Sequence, residues 1–350
     1  MKTDMHYFGV YALARAAGMR VGPAEIVAIA SEYVDDAIWD KEVFLEDGRS
    51  ILAEMTAHKM LDFRNADRED QRKVWLPFHF LPGAEGKTPT DKLLCRKNSR
   101  VARTMVRRST AIAAEAPYGL YLMGITAHVY ADTFAHYGFM GANHGYNAIK
   151  SGSIDLQVSD DGILDYIQKK AKGFVNRLVS YGLSQTFPLG HGAASTYPDR
   201  PYLRWSYVRA SDGKKVERDN PKDYLEACRA MHDMFQAYLE KAPGQAEGGV
   251  GRKWKDIRNP LKKIIELEGD KQARVRAWKK AMQDNRLFGG STRVPQYKGP
   301  KWSASIDDLE PEKIPEDMDK LPVYRFYQAA RIHRAYVLSN LLPPNDVIAA

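Results

Sequence analysis

The chain has 350 residues, a formal net charge of +8, and 44% hydrophobic against 27% charged residues. That balance suits a soluble protein with a substantial core, and no apolar run approaches the roughly 18 residues of a membrane span. Its two cysteines, Cys95 and Cys228, make no disulfide framework and have no CxxC neighbour, so both read as small core residues. The start, Met1-Lys-Thr-Asp-Met-His6, lacks a signal-peptide core. That points to the cytoplasm, or to export by a route without a cleavable signal peptide. Basic runs at Arg96-Lys97, Arg107-Arg108, Arg252-Lys253 and Lys279-Lys280 lack the aromatic interleaving of a base-stacking surface. They favour an anionic, phosphate-containing partner, with a membrane surface allowed and nucleic acid less favoured.

Helical periodicity dominates the chain. A first helix is predicted from about His6 to Gly18, and a second follows Pro23, carries Ala24 to Ala37 and ends on Asp35-Asp36. Extended structure is predicted near Lys41–Leu45, then a helix over Ile51–Leu61 bearing His58. The segment Leu76-Pro-Phe-His79-Phe-Leu-Pro-Gly83 reads as irregular and rigid, with an imidazole between two phenylalanines. Further helices are predicted over Thr90–Ala114, Pro117–Tyr137, Gly162–Tyr181, Lys222–Lys241, Trp254–Glu268, Lys271–Asp284 and Val323–Leu342. The aromatics and the Ser-Asp-Gly turn within Tyr202–Val216 predict a short β-hairpin. Pro243–Gly251 is a candidate linker and Leu309–Pro322 a candidate extended connector. The fold class is therefore mostly α. Residues 1–242 read as a metal-binding helical domain, and 243–350 as a basic C-terminal layer whose last helix docks on the body.

The most informative stretch is His128-Val-Tyr-Ala-Asp132-Thr-Phe-Ala-His136, followed by Gly138. Three good metal ligands recur at every fourth position, and on a helix of 3.6 residues per turn they share one stripe. Leu120, Tyr121, Leu122, Met123, Ile125, Val129 and Phe134 make the helix apolar nearly all round, hence buried. A carboxylate and two imidazoles there are costly unless paired or bound to a metal. Other candidate ligands are His6, Asp35 or Asp36, His79, His144 in Asn143-His-Gly-Tyr-Asn147, and His191 in Gly190-His-Gly192 shortly before Asp199. His58 reads as a salt-bridged or supporting group, and His232 and His333 as ordinary residues of charged helices. A lone buried histidine is most often a hydrogen-bonded core residue; the collective pattern is what argues for metal.

In this order, a histidine opening the first helix, an aspartate ending the next, an intervening histidine and then His-x3-Asp-x3-His before Gly, the elements resemble the zinc-dependent phospholipase C superfamily. That superfamily includes bacterial phospholipase C, the zinc domain of glycosylphosphatidylinositol phospholipase D and, more distantly, the P1-type nucleases. The closest resemblance is to an uncharacterised bacterial branch, through the blocks at Tyr33-Val-Asp-Asp-Ala37, Pro77–Gly83, His128–Phe139 and Gly190–Tyr202, over roughly residues 4 to 205. It implies a multi-helix bundle with irregular loops that holds up to three zinc ions and hydrolyses phosphate esters. By the resemblance, His6 would sit on one zinc, Asp36 (or Asp35) with His79 and His128 on another, Asp132 would bridge, and His136 would serve a third. The relatives' His-x3-Glu has no counterpart, since Ala148 stands four positions after His144; His191 with Asp199 offers a replacement. The secreted relatives also use a processed N-terminal amine, which no signal peptide would expose near His6 here, so two ions are expected, with three as the alternative.

The resulting expectation is a metal-dependent hydrolase of phosphate esters, preferring a phospholipid or other small phosphodiester. The basis for that preference is that Tyr7, Phe8, Phe78, Phe80 and Tyr137 lie close in sequence to the ligands. Asp36 or Asp35 would be the general base or would orient the water. The alternatives are a P1-type nuclease and a non-catalytic, metal-stabilised interaction protein.

Overall fold

The computed structural model describes residues 1–40, 42–44, 50–59, 62–180, 189–302 and 320–347. It is mostly helical, 59% helix against 8% strand, as the periodicity predicts. The chain enters through a wide helical turn, Asp4–Gly9, and continues into α1 (Val10–Ala17). Gly18 closes that helix with φ at 107°, a conformation costly for any residue with a Cβ. Helix α2 (Val21–Asp36) follows, with Pro23 in its first turn.

Two strands then pair antiparallel, β1 (Glu42–Phe44) and β2 (Ser50–Leu52), with Val43 opposite Ile51. The helix predicted over Ile51–Leu61 is therefore absent as far as residue 59; residues 60 and 61 lie outside the described set. Its donors are used elsewhere. The N–H groups of Thr56 and Ala57 both go to the Ala37 carbonyl, at 2.9 and 3.3 Å, and Thr56 Oγ1 donates to Val34 O at 2.7 Å. Donors committed to the end of α2 cannot build a helical ladder. The segment at 76–83 opens as a helical turn, Leu76–Phe78, and becomes irregular only from His79.

The helix predicted over Thr90–Ala114 is two. A short piece, Pro89–Leu93, is separated from α3 (Arg100–Glu115) because Cys95 pairs with the end of the central helix, its N–H bonding Phe139 O and its carbonyl accepting from Gly138. Asn98 turns the chain through a positive φ, and Ser99 caps α3 by accepting from the Ala102 N–H at 3.0 Å. The central helix is α4 (Gly119–Ala135), buried throughout except at Leu120. Beyond it lie β3 (Asp155–Gln157), α5 (Asp161–Ser180), β4 (Arg204–Val208) and β5 (Lys215–Asp219). The predicted hairpin is β4–β5, and β3 adds a third antiparallel strand beside β4. Trp205 and Tyr207, two apart on β4, face one side and build a small aromatic core with Phe139 and Tyr202.

The remaining helices are α6 (Asn220–Lys241), α7 (Trp254–Ile265), α8 (Lys271–Gln283) and α9 (Pro322–Tyr336). The candidate linker Pro243–Gly251 is strapped to α1: Arg20 N–H donates to Gln245 O, Glu247 N–H to Gly18 O, and the buried Arg15 guanidinium pairs with Glu247 at 2.7 Å. Residues after 243 share the main core with the first two helices. Tyr33 packs edge-on against Phe326 and Trp302, and Asp4 and Arg274 form a buried ion pair at 2.6 Å. Most of the candidate connector at 309–322 lies outside the described residues. Cys95 and Cys228 are buried free thiols. Among the described residues, no helix is long and apolar enough to cross a membrane.

Helix α4 crosses α2 at Gly124. A Cβ there would lie 2.5 Å from Val27 O and 2.6 Å from Ala30 Cβ. No rotamer change relieves a clash with backbone, so Gly124→Ala should destabilise the fold by about 1–3 kcal/mol in urea unfolding. Gly22→Ala, with nothing within 4 Å of its Cβ, should change stability by no more than about 1 kcal/mol.

Candidate metal centre

Four segments converge on the inner face of α4. The first turn brings His6 and the Met1 α-amine, and α2 brings Asp35. The turn at 76–79 brings His79, and the loop ahead of β4 brings His191 and Asp199. Asp132 lies at the centre. Its Oδ2 is 3.3 Å from His128 Nε2 and 3.5 Å from His79 Nδ1, and its Oδ1 is 3.2 Å from His6 Nε2 and 2.8 Å from the Met1 amine. Asp199 Oδ1 is 3.3 Å from His136 Nε2, 3.7 Å from His191 Nε2 and 3.3 Å from the Met1 amine. Lys2, half exposed, closes the rim with Nζ 3.2 Å from Asp199 Oδ2.

Each of four imidazoles is held from behind by a main-chain carbonyl. His128 Nδ1 faces Ser31 O at 2.8 Å, His79 Nε2 faces Thr56 O at 2.9 Å, His136 Nδ1 faces His79 O at 2.9 Å, and His191 Nδ1 faces Ser195 O at 2.9 Å. A carbonyl only accepts, so those nitrogens carry the N–H, and in the neutral ring the other nitrogen is a bare lone pair. His128 Nε2 and His79 Nδ1, the two bare nitrogens, face each other at 3.3 Å and share Asp132 Oδ2. Three acceptors pointed together would be satisfied by a cation between them. Four-coordinate zinc with bonds of about 2.0–2.1 Å has ligand–ligand edges of about 3.3–3.4 Å, which is the size of this triangle. The buried Asp132 Oδ2 and His6 Nδ1 have no hydrogen-bond partner, as would suit groups able to hold a metal.

Among the described residues, three groups have the reach to hold an ion: His6–Asp35–His128, His79–His128–Asp132 and His136–His191–Asp199. The first two share His128, whose Nδ1 is committed to Ser31 O. Its single remaining lone pair can serve only one of them at a time. The last group is independent, so the residues fit two ions without conflict. His6 stacks on His128 with ring centroids 3.8 Å apart and stays beside Asp132 Oδ1 and the amine.

The electrostatics follow from burial against concentrated charge. Burial alone would raise the Asp132 carboxyl, but His136, the Met1 amine, His128 and His6 outweigh it and hold it well below the usual range. Asp199 is likewise held low against its burial, by the amine, Lys2 and His191. Asp35 is lowered too, since His128, His6 and His79 overcome its desolvation. Burial, with His128 and the amine adding to it, pulls His6 down to about 3, and burial foremost pulls His191 to about 4. For the Met1 amine burial works downward, yet Asp132, Asp199 and Asp35 push it up to about 10.

Two of the predicted site residues lie elsewhere. Asp36 turns away from the cluster and accepts a short hydrogen bond from Tyr297; it is Asp35 that lies 3.8 Å from His79 Nδ1. Adjacent helical residues point about 100° apart, and the Tyr297 contact decides which one faces inward. His144 is exposed, and its Nδ1 accepts the Tyr146 N–H at 3.1 Å, capping a short turn. The three residues read as ordinary or supporting are all buried. His232 bonds the carbonyls of Ala16 and Arg252, His333 bonds Pro77 O just ahead of the His79 turn, and His58 lies 3.9 Å from Asp62 and 3.8 Å from Asp70. Of the five aromatics, Phe80 alone stacks on a candidate ligand, His136, at 4.7 Å. Tyr7 packs on Tyr297, and Tyr137 binds Asp223.

Sequence reasoning missed the Met1 amine, Lys2 and Glu32. An amine expected to be missing from the cluster is in it, and nothing in a residue pattern marks a main-chain group as a site member. Glu32 lies one turn before Asp35 and accepts a short bond from Thr3; burial and then Asp35 push its carboxyl well above the usual range.

A family model described as "Family of unknown function (DUF6765)" matches residues 1–341, and the chain belongs to that family. No curated protein and no solved structure matches it.

Elemental analysis of dialysed protein should find metal at wild-type content in Asp36→Asn. Asp132→Asn should lose at least one equivalent and melt at lower temperature, because bare imidazoles are left facing one another. Equal metal content in both variants would contradict the arrangement.

Proposed function

We propose that this chain, a member of that family of unknown function, is a zinc-dependent hydrolase of phosphate esters, with a small phosphodiester or phospholipid as the preferred substrate class. The observation that carries the reading is the facing of His79 Nδ1 and His128 Nε2 across 3.3 Å beside Asp132. An opening to solvent adds to it: Lys2 is 47% exposed, Asp35 38% and His191 17%, whereas Asp132 is 1% exposed. A purely structural metal site is closed by its ligands, and a catalytic one keeps an accessible side. Zinc, when bound, supplies Lewis acidity for a phosphoryl oxygen and for the attacking water.

The chain's own groups have distinct parts in this reading. His79, His128 and Asp132 form one donor set and His136, His191 and Asp199 the second. The backbone carbonyls behind the imidazoles hold each ring in the tautomer that presents its lone pair. Asp35, ionised and at the mouth, accepts the proton from the attacking water. Lys2 offers an ammonium to a non-bridging oxygen of the anionic substrate. Asp36, engaged by Tyr297, has no part in proton transfer. The C-terminal residues hold the walls: Tyr297 orients Asp36, and His333 fixes the Pro77 carbonyl.

The test is hydrolysis of bis(4-nitrophenyl) phosphate, phospholipid and single-stranded nucleic acid by zinc-loaded protein. Activity should vanish with a chelator and return with zinc. Asp35→Asn should reduce kcat by about 10²–10⁴-fold, and Asp36→Asn should stay near wild type. Lys2→Ala should raise KM about tenfold with a smaller effect on kcat. Preference for nucleic acid would favour the nuclease alternative. No turnover of any of the three by a metal-loaded protein would favour the metal-stabilised interaction protein.

A further inference from the structure

Behind the metal helix lies a second concave feature. Helices α3 and α6 flank α4, and between them runs an open groove of about 740 Å³, within the range of small-molecule sites. Its floor is apolar, made by Val106 of α3, Tyr130 and Phe134 of α4, and Ala230 and Met234 of α6. Tyr130 and Phe134 alternate with His128, Asp132 and His136 along α4, so the groove and the metal centre occupy opposite faces of one helix.

The charges around the groove do not balance. Five basic residues line it (Lys97, Arg103, Arg107, Arg229 and Lys241) against two acids, Glu226 and Asp233, an excess of three. Both acids are already engaged: Glu226 pairs with Lys97 at 2.7 Å, and Asp233 with Arg229 at 2.8 Å. Arg103 donates to the Asn98 carbonyl, and among the described residues neither it, Arg107 nor Lys241 has an ion-pair partner. Arg103 and Arg107 stand four apart on one face of α3, a spacing at which like charges repel. The first turn of α3 holds no acid to offset them. An apolar slot with uncompensated cations on its rim matches an anion carried on an alkyl chain.

We propose that this groove binds a free long-chain fatty carboxylate, its chain along Tyr130, Phe134 and Met234 and its headgroup on Arg103 and Arg107. The floor is recessed, with Tyr130 6% and Phe134 2% exposed. A single chain can enter such a slot, whereas a bilayer surface cannot follow its concavity. From Glu226 to Lys241 the wall runs about 22 Å at 1.5 Å per residue, long enough for an extended chain. The site stands independently of the hydrolase reading.

The experiment is calorimetric titration of the full metal-loaded chain with dodecanoate below its micellar concentration, with dodecyltrimethylammonium as the charge-reversed control. Dodecanoate should bind at one per chain, and the cationic amphiphile should not. Arg107→Glu, an exposed substitution that leaves the fold intact, should weaken binding at least tenfold, and Ala230→Trp should abolish it by filling the slot. His128→Ala should leave it unchanged, which separates this site from the metal centre and from any failure of the hydrolase reading. The proposal is overturned if dodecanoate does not bind, if both amphiphiles bind alike, or if Arg107→Glu binds as wild type. It is equally overturned if sedimentation shows the groove covered by a second copy that dodecanoate cannot displace.

Discussion

A buried carboxylate must be met by positive charge or by donors, and Asp132 sets that demand for the whole molecule. Its oxygens lie on the inner face of α4, reached by four imidazoles and an amine, with His6, His79 and Met1 coming from segments far off in sequence. The close crossing of α2 and α4 at Gly124 is one expression of the demand, because it lets Ser31 hold His128 and Asp35 approach His79. The turn at 76–79 is another: its backbone holds His136 from behind while its imidazole faces Asp132. Packing here serves an electrostatic end, and much of the core around α4 is arranged to make that end affordable.

The C-terminal third belongs to the same arrangement. Trp302 and Phe326 pack on Tyr33, near the end of α2, and Tyr297 bonds the neighbouring Asp36. Arg334 bonds Glu54 and the Met55 carbonyl in the loop that supplies Thr56 O to His79. Residues that resemble no ligand motif thus fix the angles at which the candidate ligands are presented.

The stripe His128–Asp132–His136 was legible because helical periodicity and ligand chemistry coincide there, and the helix class followed from the same periodicity. Asp35 and Asp36 could not be told apart from sequence, since the partner that decides between them, Tyr297, lies 261 residues beyond Asp36. The stretch from Ile51 has apolar spacing that fits a helix, yet its amides bond the end of α2, a tertiary choice that no local pattern records. His144 sits in a motif much like that of His191. Only the pairing of Asn143 with Leu189 and the turn after Gly190 leave one ring outside and bring the other in. The α-amine of Met1 was invisible for a simpler reason: it is not a side chain.

The four imidazoles of the two donor sets lean on carbonyl oxygens, and carbonyls are common to every amino acid. At Ser31, Thr56 and Ser195 the supporting atom survives any replacement that keeps the local chain path. Inheritance at those positions therefore acts on backbone trajectory, and on residue identity only where a side chain sets that trajectory. Among descendants of this chain a change of letter at 31 need only keep a small side chain, whereas 56 and 195 carry more, the Thr56 hydroxyl bonding Val34 O and Ser195 holding a positive φ. The marks of constraint would fall also on positions such as Gly124, which keep the path itself in place.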